Sequence, residues 1–214
     1  MNNLYRRAVY LCAAHTLAQT PEDAGLEVAF AGRSNAGKSS AINVICDQNS
    51  LARTSKTPGR TQQIVFFTLD ANRRLVDLPG YGYAKVPMAV KLHWQKTLER
   101  YLQERKSLQG LILLMDIRHP FTDYDTHMVH WCLDSHMPVH ILLTKADKFS
   151  RGKAMSLLLQ VRTECEKLSA GRDTRVTAQL FSALKKDGLD DAWQCLDSWL
   201  QVGVELEMPM LTDI

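Results

Sequence analysis

The sequence predicts a three-layer α/β domain built on a mostly parallel sheet of six strands flanked by helices. Three observations carry that prediction. Short apolar runs alternate with longer amphipathic stretches from Leu26 to Gln201, the pattern of strands and helices in turn. The run Gly110-Leu111-Ile112-Leu113-Leu114-Met115 is apolar throughout and ends at Asp116, so both its faces must be covered, as in a central parallel strand. Finally, Gly32-Arg33-Ser34-Asn35-Ala36-Gly37-Lys38-Ser39 fits G-x-x-x-x-G-K-[ST], a loop that cradles phosphates when a strand precedes it and a helix follows.

Taken in order, residues 1–25 form an N-terminal arm that ends in the turn-rich Thr20-Pro21-Glu22-Asp23-Ala24-Gly25. Arg6 and Arg7 before the apolar stretch 8–14 resemble the start of a signal peptide, but His15 and Gln19 soon interrupt it. No run approaches the roughly 18 apolar residues of a membrane span, and a cytoplasmic protein is expected. The main domain covers 26–201. Glu27-Val28-Ala29-Phe30-Ala31 is its first strand, and Ser40 to Cys46 begins a helix. Ile64 to Leu69 and Arg73 to Asp77 are the next strands, joined by the tight turn Asp70-Ala71-Asn72. Val90 to Lys106 carries Leu92, Leu98, Tyr101 and Leu102 on one helical face. After the central strand, helices are expected over about 123–135, 151–168 and 188–201, separated by strands Val139 to Leu143 and Val176 to Phe181. Residues 202–214 are an acidic tail.

The net charge of +3 conceals a division along the chain. All 26 Lys and Arg precede Asp187, whereas the last 28 residues hold seven acids and no base. Residues 145–186 alone carry ten bases against four acids. A basic body suits a polyanion such as RNA, and equally a solvated surface. The five cysteines are scattered, odd in number and without a C-x-x-C pair, which argues against a disulfide framework or a zinc site. His127 and His130 are spaced i, i+3 with no carboxylate or cysteine set to complete a metal site, and read as helix-surface residues. The four tryptophans fit helix faces packed on the sheet.

Ligands of such sheets bind at the carboxyl ends of the strands; three further segments lie there, and a fourth lies ahead of the second strand. Asp77-Leu78-Pro79-Gly80 follows the third strand. There the carboxylate can hold Mg²⁺ through water, and a Gly N–H can face a terminal phosphate unobstructed. Thr144-Lys145-Ala146-Asp147 follows the fifth strand. A carboxylate there can accept the N1–H and 2-amino donors of guanine and would be unpaired against adenine, while the Lys145 stem covers the base. Phe181-Ser182-Ala183 follows the sixth strand, where a backbone N–H of Ser182 or Ala183 can meet the guanine O6. Between the first helix and second strand lies the polar Arg53-Thr54-Ser55-Lys56-Thr57-Pro58-Gly59-Arg60-Thr61-Gln62, in which Thr54, Thr57 and Thr61 could each ligate Mg²⁺.

With these segments in place, the chain resembles the EngB (YihA/YsxC) family of ribosome-biogenesis GTP-binding proteins, among the translation-factor-related P-loop GTPases. The marks are GRSNAGKS at 32–39, TSKTPGRTQ at 54–62, DLPGYGYA at 77–84, LMDIRHP at 114–120, TKAD at 144–147 and FSALKK at 181–186. The resemblance implies a Ras-like G domain that binds GTP and GDP with Mg²⁺ and hydrolyses GTP, slow hydrolysis being expected from Tyr81 after Gly80. It further implies a monomer acting in late assembly of the large ribosomal subunit, through rRNA and ribosomal proteins, and needed for normal cell division and septation. By position it implies Ser39 and Thr61, with Asp77, as the Mg²⁺ site, Gly59, Arg60, Thr61, Gln62 and Gln63 as the phosphate-facing switch, and Lys38, Thr61, Gly80 and Asn35 as the catalytic group.

Two departures from GTPases at large bear on activity. Thr144 stands where an asparagine is usual; its hydroxyl can still bridge to the P-loop but offers fewer hydrogen bonds than an amide, so modest nucleotide affinity is expected. Tyr81 follows Gly80 where signalling GTPases place a water-orienting glutamine. Asn35 resembles the P-loop asparagine of potassium-activated relatives, which makes K⁺ near Asn35 a candidate source of the missing charge. The competing readings are a P-loop kinase or ATPase, which TKAD and FSA disfavour, and an RNA-binding scaffold that senses GTP without hydrolysing it.

Overall fold

The computed structural model describes residues 3–52, 63–81 and 88–204. Among these residues seven strands form a single sheet in the order β1-β3-β4-β2-β5-β6-β7. They are β1 (Val9–Ala14), β2 (Leu26–Gly32), β3 (Ile64–Thr68), β4 (Arg73–Asp77), β5 (Leu108–Asp116), β6 (Val139–Thr144) and β7 (Val176–Leu180). The helices are α1 (Lys38–Ile45), α2 (Met88–Glu104), α3 (Asp123–Asp134), α4 (Arg151–Ser169) and α5 (Leu189–Trp199). Pairings β2–β4, β2–β5, β5–β6 and β6–β7 are parallel, while β1–β3 and β3–β4 are antiparallel.

The predicted count of six strands is corrected to seven. The additional strand, β1, comes from the stretch read as an arm, and it pairs with β3 from Val9↔Thr68 to Ala14↔Ile64. A register shift between Tyr10 and Cys12 disturbs the two-residue alternation of side chains, so Val9, Tyr10 and Leu11 are all exposed. That is why no strand periodicity was visible in the sequence.

The period-two alternation of the central strands builds two cores. On one face Ala29, Ala31, Leu111, Leu113, Ile141 and Leu143 pack with Leu98, Tyr101, Val129 and Leu158 from α2, α3 and α4. On the other, Val28, Phe30, Ile112, Leu114 and Leu142 pack with Ile42, Ile45, Ala192 and Leu196 from α1 and α5. Gly110 lets α5 approach: a Cβ there would stand 2.6 Å from the Trp199 ring. Trp193 ties α5 to α1, its indole N–H donating to the Ile45 carbonyl at 3.1 Å. Cys46, Cys132, Cys165 and Cys195 are free thiols, each pushed up to about 12, chiefly by burial. No helix among the described residues is long and apolar enough to cross a membrane.

At the amino end of β2 the fully buried Glu27 is held by both of its oxygens. It accepts Arg74 Nε at 2.8 Å, Arg105 Nε at 2.9 Å, Arg105 Nη2 at 2.7 Å and the Tyr101 hydroxyl at 3.1 Å. Asp23 accepts the backbone N–H groups of Lys106 and Ser107 at 3.0 and 2.8 Å. This charged knot clamps β2, β4 and the end of α2 at the edge of the sheet remote from Gly32. The opposite edge is left to the loops that follow β2, β4, β5, β6 and β7.

Candidate nucleotide-binding site

The loop after β2 turns through two left-handed residues, Asn35 at φ 65° and Gly37 at φ 95°. The second suits glycine, and it brings the backbone round so that Lys38 opens α1. Thr144, at the end of β6, closes over this loop: its hydroxyl lies 2.6 Å from the Ala36 carbonyl and 3.2 Å from that of Met115. The single hydroxyl thus spans P-loop and sheet with one proton to donate.

The Lys38 ammonium is ion-paired with the Asp77 carboxylate, both side chains being largely buried. This links the P-loop to the end of β4, the strand that neighbours β2. A phosphate entering the loop would compete for Lys38 and release Asp77 to a cation. Asp77 and the Ser39 hydroxyl in the first turn of α1 are hard oxygen donors, which suits Mg²⁺ completed by phosphate and water. Among the described residues no group of three His, Cys, Asp or Glu could hold a metal without such help. Thr61, the third expected ligand, lies outside the described residues, as do Gly59, Arg60 and Gln62. Gln63 is described; its Nε2 is 2.7 Å from His15 Nε2.

Beyond Asp77, the Leu78–Gly80 segment runs back along the P-loop. Leu78 N–H donates to Phe30 O at 3.0 Å, Ser34 N–H to Tyr81 O at 2.9 Å, and Tyr81 N–H to Gly32 O at 3.4 Å. The Tyr81 hydroxyl donates to Asp125 of α3 at 2.7 Å, and burial, with Asp125 adding to it, pushes the phenol well above its usual value. Asp125 also accepts the Thr122 hydroxyl at 2.7 Å. Tyr81 is therefore a neutral wedge fastened to α3, not a side chain free to orient water.

The base end is built from the termini of β6 and β7. Lys145 is left-handed at φ 61°, and its ammonium donates to Asn35 O at 2.7 Å. Asp147 follows within a 3-10 turn at Ala146–Lys148. The Ser182 hydroxyl donates to Asp147 Oδ1 at 2.6 Å, and Ala146 N–H donates to Phe181 O at 3.2 Å. Ser182 contributes differently from the expectation: its N–H is engaged by the Asp187 carbonyl at 3.0 Å. Of the two N–H groups considered for the guanine O6, Ala183 is therefore the one to place there. Sequence reasoning missed the Ser182 hydroxyl as the group that orients Asp147. The signal was a hydroxyl residue after the last parallel strand, but its partner is visible only in three dimensions.

The structure thus brings together the P-loop, Asp77 to Gly80, Thr144 to Asp147 and Phe181 to Ala183 along one edge of the sheet. Residues 27–145 match the family model described as 50S ribosome-binding GTPase. The chain belongs to this P-loop GTPase family. Its fold is similar to that of the solved "probable GTP-binding protein engB", with a TM-score of 0.65 at 18% identity over 82% of this chain and 98% of that one. It is similar also to Aquifex aeolicus Era bound to GDP·AlF4⁻, with a TM-score of 0.65 at 20% identity over 89% of this chain and 62% of that one. A further Era structure, in complex with MgGDPNP and a segment of 16S ribosomal RNA, gives a TM-score of 0.64 at 19% identity over 89% of this chain. The chain spans less than two thirds of each of these Era chains. At such identities the likeness carries the fold alone.

Proposed function

We propose that this protein is a Mg²⁺-dependent GTPase of slow intrinsic turnover that acts as a nucleotide-gated factor in assembly of the large ribosomal subunit, and through it supports cell division and septation. The observation that carries the nucleotide reading is Asp147, whose carboxylate is oriented by the Ser182 hydroxyl at the base end of a P-loop whose Lys38 is paired with Asp77. The chemistry follows from these groups. Backbone N–H groups of Gly37, Lys38 and Ser39 and the Lys38 ammonium take the phosphates. Asp77, Ser39 and Thr61 would hold Mg²⁺, which would supply charge neutralisation on the phosphate oxygens. The Gly80 N–H faces the terminal phosphate, and Asp147 selects guanine.

The ribosomal part of the proposal is supported by the family description and by the basic surface around the base pocket, where Lys148, Arg151, Lys153 and Lys185 belong to a segment of strong positive excess. A GTP-dependent change in residues 53–63 would couple the terminal phosphate to that surface. The test is co-sedimentation with purified large ribosomal subunits in GDP and in a non-hydrolysable GTP analogue. Retention in the GTP-like state at least several-fold above that in GDP is expected; equal retention, or none, defeats the gating proposal. A second reading, a GTP sensor without turnover, draws on Tyr81 being fastened to Asp125.

A further inference from the structure

Of the segment Leu114-Met115-Asp116-Ile117-Arg118-His119-Pro120 only the Met115 carbonyl enters the site as described so far, yet the segment ends the central strand beside the base pocket. Asp116 is the register partner of Thr144 on the adjacent parallel strand, one residue before Lys145. Its carboxylate collects four donors. Oδ1 accepts Arg118 N–H at 3.0 Å and Arg118 Nε at 2.8 Å, and Oδ2 accepts Arg118 Nη2 at 2.5 Å and Lys145 Nζ at 2.8 Å. The same Lys145 ammonium donates to the Asn35 carbonyl at 2.7 Å.

We infer that Asp116 is a positioning residue of the nucleotide pocket: oriented by Arg118, it anchors Lys145 over the base position and ties that lysine to the P-loop. The inference rests on the guanine-nucleotide reading and names the group that pre-forms its base end. Lys145 and Asn35 are both non-glycine residues in the left-handed region, at φ 61° and 65°, a conformation that persists where surrounding contacts over-determine it. One ammonium spans the two, and Asp116 supplies its countercharge. A lysine stem left without an anchor samples many rotamers and must be ordered each time a base binds. Held by Asp116 and the Asn35 carbonyl, it is ordered beforehand. An open surface ion pair would contribute little, but the Asp116 side chain is only 17% exposed and that of Lys145 30%. Arg118, at 49% exposed, fixes the carboxylate's orientation by holding both of its oxygens, and Lys145 shares Oδ2 with it.

The experiment is equilibrium and stopped-flow binding of a fluorescent GDP derivative to wild type, Asp116→Asn, Asp116→Glu, Lys145→Ala and the double variant Asp116→Asn/Lys145→Ala, each first checked for its nucleotide-free melting temperature. Asp116→Asn is expected to weaken binding roughly ten- to a hundredfold, the range for losing one hydrogen bond to a charged group. Asp116→Glu should recover part of the loss. Asp116→Asn should add nothing once Lys145 is alanine, a coupling that a merely structural role would not produce. Unchanged affinity in Asp116→Asn, or losses that add independently in the double variant, overturns the inference. Failure of the wild type itself to bind the GDP derivative overturns the guanine reading, and this inference with it.

Discussion

His140 on β6 sits between two side chains of β7, its Nδ1 2.7 Å from the Thr177 hydroxyl and its Nε2 2.7 Å from Gln179 Oε1. The Gln179 amide nitrogen is committed to the Gly188 carbonyl at 2.6 Å, so its oxygen faces the ring and Nε2 carries the proton. Burial lowers the His140 pKa from its ordinary 6.5, opposed by the bond to Gln179 and by Asp191 and assisted by Arg162. Well above pH 6.5 the ring is neutral in both folded and unfolded chains and adds no pH dependence. Below it the unfolded chain takes up a proton that the folded chain refuses until lower pH, so stability falls across that window. Urea unfolding should therefore show wild type losing stability faster than His140→Gln as pH falls below 6.5, by at most about 1.4 kcal/mol per pH unit. Parallel curves would show that the buried imidazole is not the titrating group. At this scale Asp147 and Lys38 were legible in the sequence, because their chemistry is fixed by residue type and order after strands. The Ser182 hydroxyl on Asp147 and the Tyr81 hydroxyl on Asp125 were not, because each depends on a partner 35 and 44 residues away.

Among the elements, β2 shows how one strand serves two ends of the molecule. Its carboxyl end delivers Gly32 to the P-loop, and its amino end buries Glu27 between Arg74 and Arg105. Removing that charge takes away the carboxylate shared by the two guanidinium groups and leaves Arg105 only the more distant Asp23, at 3.5 Å. Glu27→Gln should cost about 3–5 kcal/mol, as for breaking a buried ion pair, measured by denaturant unfolding. Because the knot lies at the far end of the sheet, the dissociation constant for GDP in the folded variant should stay within about twofold of wild type. A loss of stability below about 1 kcal/mol would mean that the knot contributes no more than exposed ion pairs do. Most elements were readable from periodicity: α3 and α4 begin and end within about a residue of expectation. The failure was β1, where a bulge broke the alternation and short apolar residues after two arginines imitated a leader sequence. Glu27 itself reads as part of an apolar strand, since a buried charge leaves no pattern until its partners are known.

For the whole molecule, the topology does the assembling. β2 lies between β4 and β5, and the helices divide between the two sheet faces, so the loops of five strands converge on one edge. That convergence was foreseeable once alternating strands and helices were recognised, and it explains why segments spread from residue 32 to 183 form one site. We propose that this edge selects guanine through Asp147. The most direct measurement is competition of GTP, ATP and XTP against a fluorescent GDP derivative, for wild type and Asp147→Asn. The wild type should bind GTP at least roughly 10²-fold more tightly than ATP or XTP, because each leaves a buried carboxylate or base group unpaired. In Asp147→Asn the preference should pass to XTP, since the amide carbonyl can take N1–H while its N–H donates to the 2-oxo group. Equal competition by ATP in the wild type, or an unchanged order in Asp147→Asn, would contradict the account.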